Sequence, residues 1–174
     1  MASPHLNYVT DRAFRDDILA LAAQLAADEA WRPDFIIGIG RGGLVPGTYL
    51  SHATGVPMLS IDHSAQLPEF AAELLTKLAA RTRSGERVLF VDDINDSGRT
   101  IEHLRTALAA AGGVAAGIRF AVLIDNVSSR ARVDYGARMI DRAVTKDWFV
   151  FPWESVAPAA RLAEEALSEP DRLG

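Results

Sequence analysis

Four short apolar runs, each stopping abruptly at glycine or aspartate, restrict the fold of this chain more than any other feature. They lie in "DFIIGIG" (34–40), "VPMLSID" (56–62), "RVLFVDD" (87–93) and "IRFAVLID" (118–125). The runs are largely continuous rather than alternating, the pattern of strands buried on both faces. Helical stripes separate them. Thr10 or Asp11 can cap a helix carrying Phe14, Ile18, Leu21 and Leu25. Leu74, Leu75 and Leu78 share one face of "AAELLTKLAARTR", and Ile101, Leu104, Leu108 and Ala111 form a stripe ended by Gly112-Gly113. "WFVF" (148–151) reads as a fifth strand, and an alanine-rich terminal helix follows from Ser155 to Leu167. Strands alternating with helices predict an α/β fold: a parallel sheet of about five strands with helices on both faces. The expected organisation is one domain over residues 1–174, with a core of about 30–154 and a C-terminal helix of about 155–168.

Composition narrows the function classes. Hydrophobic residues make up 49% and charged residues 24%, as in a soluble globular protein. The net charge of -5 argues against bulk electrostatic binding to nucleic acid. The absence of cysteine excludes disulfides, thiolate metal sites and thiol nucleophiles. No basic segment followed by an apolar run opens the chain, and no apolar stretch approaches bilayer length, so the expectation is a cytoplasmic protein with no membrane partner. His5, His52, His63 and His103 are scattered and form no metal-ligand pattern.

In a parallel sheet, ligands collect beyond the carboxyl ends of the strands. "GIGRGG" matches G-x-G-x-x-G through Gly38, Gly40 and Gly43, with Asp62 near the place of a ribose-binding acid. Tight turns favour glycine for steric reasons alone, so this match to a dinucleotide site is weak. Arg41 says more: a cation flanked by glycines, with bare amides beside it, suits a polyanion such as pyrophosphate. The second loop, Asp96-Ser97-Gly98-Arg99-Thr100, leads from a strand to a helix N-terminus. Its N–H groups and its Ser97 and Thr100 hydroxyls can bind a phosphate monoester, yet it is no Walker loop. Asp92 and Asp93 would repel that phosphate if they faced it. Carboxylates accept from paired hydroxyls and ligate Mg²⁺, so a ribose 5-phosphate reconciles the two halves.

"VLFVDDINDSGRT" (88–100) resembles the phosphoribosyl-diphosphate (PRPP) signature of the type I phosphoribosyltransferases. "FIIGIGRGGLVPG" resembles that family's pyrophosphate loop, and "KDWFVFPWE" (146–154) resembles its base-binding segment, especially in the bacterial xanthine-guanine and related purine enzymes. The three matches stand in the family's order, which outweighs the single dinucleotide motif. The resemblance implies the type I phosphoribosyltransferase fold with a small hood. It implies an enzyme that transfers the phosphoribosyl group of PRPP to a nucleobase, giving a nucleoside monophosphate and pyrophosphate. By position, Asp92 and Asp93 would hold the ribose hydroxyls and Mg²⁺. Gly40, Arg41 and Gly42 would meet pyrophosphate, with Arg41 stabilising its departure. Ser97, Gly98, Arg99 and Thr100 would bind the 5-phosphate, and Asp96 would share the base's ring proton. Trp148 would stack on the base while backbone near Phe149 reads its edge. A homodimer or homotetramer is the assembly the resemblance suggests. The rival reading is a regulator that keeps the fold and binds PRPP or nucleotide without turnover.

One position departs from the pattern. The lysine that 6-oxopurine enzymes place after the fourth strand falls at or near Asp125 in "LIDNVSS". A carboxylate cannot donate to a carbonyl; it can accept from an exocyclic amine or ring N–H, or cap a turn with Asn126. Residues 63–86 occupy the place of the family's mobile closing loop without a recognisable loop signature; a mobile front half and a packed back half are expected.

Overall fold

The computed structural model describes residues 4–61 and 68–168. In chain order the elements are β1 (Leu6–Tyr8), α1 (Asp11–Ala27), β2 (Phe35–Ile39), α2 (Gly40–Thr54), β3 (Met58–Ile61), α3 (Pro68–Arg83), β4 (Val88–Asn95), α4 (Arg99–Ala110), β5 (Ile118–Asn126), β6 (Tyr135–Ile140), β7 (Trp148–Val150) and α5 (Ala159–Ser168). Five strands form a parallel sheet in the order β3-β2-β4-β5-β6. The strand order reverses between β2 and β4, which opens a crevice at their carboxyl ends.

Strand periodicity divides the core in two. Ile36, Leu89, Val91, Ala121 and Leu123 face Phe14, Ile18, Leu21 and Leu25 of α1 and Leu50 of α2. Ile37, Val88, Phe90 and Phe120 face Leu75 and Leu78 of α3 and Ile101, Leu104 and Leu108 of α4. Each such side chain, fully buried, contributes roughly 1.5–3 kcal/mol, which is why the helical stripes predict the packing. Thr10 caps α1 by accepting from the Ala13 N–H at 3.1 Å.

Two strand assignments need correction. "WFVF" does form a strand, but outside the main sheet: β7 pairs with β1 as a separate two-stranded parallel sheet, Leu6 opposite Trp148 and Tyr8 opposite Val150. The fifth strand of the main sheet is β6, whose sequence "YGARMI" lacks an apolar run because it is an edge strand buried chiefly at Tyr135. The terminal helix also starts later than expected, at Ala159, after a turn from Pro152 to Ala157. In the 63–86 segment, residues 63–67 lie outside the described residues. The packed back half is helix α3, with Leu75 and Leu78 buried and Leu74 partly buried against them. Among the described residues no helix is long and apolar enough to cross a membrane.

Candidate functional site

The predicted motifs converge on the crevice between β2 and β4. Gly40 opens α2 directly at the end of β2, with φ of 53°, so Gly40, Arg41 and Gly42 form that helix's first turn rather than a loop before it. Gly98, with φ of 86°, precedes α4. Neither N-cap residue, Ile39 or Gly98, supplies a side-chain cap, and at α4 the Arg99 N–H meets Ser97 Oγ at a long 3.4 Å. Both therefore turn open N–H groups and the positive end of the helix dipole toward the cleft, as an anion site requires.

Two clefts of about 580 Å³ each meet here. The first is lined by Gly40, Arg41 and Gly42 on one side and by Trp153, Glu154, Arg161 and Glu165 on the other. The second is lined by Asp96, Ser97, Gly98 and Arg99 together with Asn126, Ser128, Arg130 and Arg142. Asp92, Asp93 and Thr100 belong to both, so the acids stand at the junction of two anion-binding helix ends. Burial, and after it the neighbouring Asp93 carboxylate, push Asp92 well above the usual carboxylate range. Asp93 lies against Gly42: a Cβ on that glycine would sit 2.6 Å from Asp93 Oδ2. A side chain at that position would have to displace the Asp93 carboxylate, so the two halves of the site are in direct contact here.

Among the described residues no group of three or more His, Cys, Asp or Glu could hold a metal. Two adjacent carboxylates nonetheless fit Mg²⁺, which commonly takes one or two protein carboxylates and completes its shell with water and substrate phosphate. The raised Asp92 is consistent with an acid whose charge awaits a cationic partner.

Four residues that the motifs did not single out organise the second cleft. Asn95 is buried in β4; its Nδ2 donates to Asp125 Oδ1 at 2.7 Å and to the Ala131 carbonyl at 2.8 Å, and its Oδ1 accepts from Ser129 Oγ at 3.0 Å. Asn126 Nδ2 donates to the Asp96 carbonyl at 3.0 Å. Arg130 Nε donates to the Ser97 carbonyl at 3.0 Å. Arg142 grips the Asp96 carboxylate at both oxygens, Nε to Oδ1 at 2.9 Å and Nη2 to Oδ2 at 3.0 Å. Asn95 carried a signal, an amide inside an otherwise buried strand, whereas nothing in the spacing of "MIDRAVTKDW" marks Arg142.

The base-binding candidates stand outside the linings of the two clefts. Asp125 is buried and turned to Asn95, and it lines neither cleft. Trp148 and Phe149 stand on β7 outside both linings, with the Phe149 ring 5.5 Å from the Arg142 guanidinium. Trp153 stacks on Phe151 at 4.9 Å and also walls the first cleft.

A family model for the phosphoribosyl transferase domain matches residues 6–157. Among solved structures, the chain is similar to a purine phosphoribosyltransferase from Pyrococcus horikoshii, at 28% identity and a TM-score of 0.63, over 88% of this chain and 97% of that one. It is also similar to the xanthine-guanine-hypoxanthine phosphoribosyltransferase of Helicobacter pylori, at 21% identity and a TM-score of 0.62, covering 86% and 94%. A hypothetical protein from Neisseria gonorrhoeae with bound ppGpp matches at 21% identity and a TM-score of 0.66, covering 95% and 99%.

Proposed function

Because this chain belongs to the phosphoribosyl transferase domain family, with the type I fold, we propose that it transfers the 5-phosphoribosyl group of PRPP to a nucleobase, a purine in the first instance. One observation carries the proposal: two helix N-termini whose N-cap residues supply no side-chain bond, and two adjacent acids, converge on contiguous clefts that share Asp92, Asp93 and Thr100. That is the charge pattern of a sugar bearing phosphate at one end and diphosphate at the other.

In this reading Ser97, Gly98, Arg99 and Thr100 hold the 5-phosphate through backbone amides and hydroxyls. Asp92 and Asp93 accept from the ribose hydroxyls and would hold Mg²⁺. When bound, the metal supplies charge neutralisation to the diphosphate. Gly40, Arg41 and Gly42 bind the leaving pyrophosphate, and the exposed Arg41 guanidinium follows its growing charge. Asp96 receives the ring N–H of the base at the wall of the second cleft. The assembly proposed is a homodimer or homotetramer; the exposed Leu44 and Tyr49 of α2 and Leu59 of β3 are apolar side chains that could serve it.

A second reading, a PRPP- or nucleotide-binding regulator without turnover, is favoured by the engagement of both Asp96 oxygens by Arg142, which occupies the acid expected to take a proton. The Neisseria gonorrhoeae protein with bound ppGpp has the same fold. Pyrophosphate release from Mg·PRPP across purines, pyrimidines and deazapurines separates the two. The transferase reading expects release with at least one purine. PRPP binding without release from any base would replace it by the regulator.

A further inference from the structure

Two consecutive carbonyls of the loop between β4 and α4 are held from outside it. The Asp96 carbonyl accepts from Asn126 Nδ2 and the Ser97 carbonyl from Arg130 Nε, each at 3.0 Å. Both donors belong to the end of β5 and the connection that follows it, and that connection is itself fastened. Asn95 Nδ2 holds the Ala131 carbonyl at 2.8 Å, and Arg105 Nη2 of α4 holds the Arg132 carbonyl at 2.8 Å. Arg130 therefore reaches the loop from a fixed base. Asn126 is fixed as well: it is buried, and its Oδ1 accepts from the Ser128 and Arg142 N–H groups, each at 3.2 Å.

Peptide geometry turns these two bonds into an orientation. The peptides here are trans, and in a trans peptide the N–H points opposite the carbonyl. With both carbonyls drawn toward Asn126 and Arg130, the Ser97 and Gly98 N–H groups face the other way. Neither donates to another described residue. Gly98, with φ of 86° and ψ of -3°, turns the chain so that successive N–H groups converge, as in the backbone nests that bind anions. The N-terminal N–H groups of α4 follow directly.

Arg130 itself has little electrostatic reach. Its side chain is 56% exposed and its Nε lies 3.7 Å from Glu102 Oε2, so water and an acid screen its charge. The Nε donor, in contrast, has one defined partner in the loop. We propose that Asn126 and Arg130 are positioning residues: by anchoring two successive carbonyls they hold two successive N–H groups aimed at a phosphate monoester. Arg130 acts through its Nε donor and not through its charge, and neither residue needs to touch the anion. The inference rests on the reading of residues 96–100 as the 5-phosphate site, and not on turnover.

The donor atom has a close counterpart in glutamine, whose Nε2 stands as many bonds from the backbone as arginine Nε and carries no charge. Binding of ribose 5-phosphate and of pyrophosphate to the full-length protein is measured by calorimetry for the wild type, Arg130→Met, Arg130→Gln and Asn126→Asp. The Ser97 and Gly98 amide signals are followed by NMR in the same titrations. Arg130→Met should weaken ribose 5-phosphate about 10-fold, the loss of one anchoring hydrogen bond. It should also diminish the shift that binding produces at the Gly98 amide, with pyrophosphate affinity unchanged. Arg130→Gln should recover most of the affinity and the shift. Asn126→Asp keeps the Oδ1 acceptor but sets an oxygen against the Asp96 carbonyl, and should weaken ribose 5-phosphate and the Ser97 shift together. If that variant does not fold, the two Arg130 variants decide alone.

Arg130→Gln as weak as Arg130→Met would assign the charge of the arginine in place of its donor and overturn the proposal. Unchanged ribose 5-phosphate affinity in Arg130→Met, or equal losses for both ligands, would overturn it too. A wild type that binds no ribose 5-phosphate would remove the 5-phosphate reading and the proposal with it. Turnover is scored separately: the expected pattern with ribose 5-phosphate, but no pyrophosphate release from Mg·PRPP with any base, sinks the transferase reading and leaves the positioning pair standing.

Discussion

Asn95 Nδ2 donates to Asp125 Oδ1 at 2.7 Å inside the sheet, joining the strand that carries the acids to its neighbour at the floor of the second cleft. The same amide reaches the Ala131 carbonyl, so the β5–β6 connection is fastened to the strand through one side chain. Asp125→Ala removes an acceptor from a buried amide, which costs about 1–3 kcal/mol. The expected result is a lower urea midpoint with unchanged slope and unchanged relative kcat/KM across bases. A shifted base preference at unchanged stability would mean that Asp125 reads the base directly.

Asp92 bears an electrostatic load that a metal would relieve. Burial and Asp93 raise its folded-state pKa, so the folded chain binds more protons than the unfolded one above the ordinary carboxylate value of 3.8. Stability contributed by this group therefore falls as pH rises from that value toward the raised one. Asp92→Asn should raise Tm near neutral pH without divalent metal and weaken Mg·PRPP binding about 10- to 100-fold. Differential scanning calorimetry with and without MgCl₂ checks the first outcome and calorimetric titration the second. A lower Tm in the metal-free variant would contradict the strain at Asp92.

What the sequence disclosed follows from which interactions are local. The helical stripes and the β2 and β4 runs report burial through periodicity, and Asp92 through Thr100 is one continuous segment whose chemistry can be read without the fold. Arg142 and Asp96 are 46 residues apart, and only the return of the chain through β6 brings them together. The edge strand β6 leaves no mark in the sequence, because a half-exposed strand containing Gly136 and Arg138 has no apolar signature. The apolar run of β7 marks it as a strand, but its sheet is not legible, since its partner is the three-residue β1, too short to leave a pattern. Asp125 is visible in the sequence by its position along the chain, while its bond to Asn95, 30 residues away, appears only in the fold.

Gly98 holds the phosphate loop in a conformation few other residues accept. Its φ is 86°, and a Cβ there would stand 2.6 Å from the Ala131 backbone nitrogen and 2.8 Å from Ser129 Oγ. Gly98→Ala adds roughly 1–2 kcal/mol of left-handed strain and must also displace backbone from the β5–β6 connection. PRPP affinity should fall by at least about 10-fold, the equivalent of 1.4 kcal/mol, with little change at the far end of the sheet. Calorimetric titration with PRPP, alongside hydrogen exchange at β2 and β4, measures both. Unchanged affinity would show that the loop does not bind the 5-phosphate.

The opposite end of the sheet is closed by charge, and its pH response has a definite sign. Arg119 at the start of β5 donates to Asp28, the residue after α1, and to the Tyr135 hydroxyl, while that hydroxyl donates to Asp28 Oδ2 at 2.9 Å. The guanidinium also lies 4.6 Å from the Trp31 ring and 4.0 Å from Asp134. The bond from Arg119, followed by that from Tyr135, lowers the Asp28 pKa below its ordinary 3.8. An acid with a lowered folded-state pKa contributes stability that is complete above its unfolded value and disappears as pH falls through the folded one. Asp28→Asn should therefore lower the urea midpoint at pH 7, and the gap from wild type should narrow steadily as pH falls below about 4, the ordinary aspartate range. Urea titrations from pH 7 to pH 2.5 follow it. A gap that stays constant over that range would mean that Asp28 acts by packing and not by its charge.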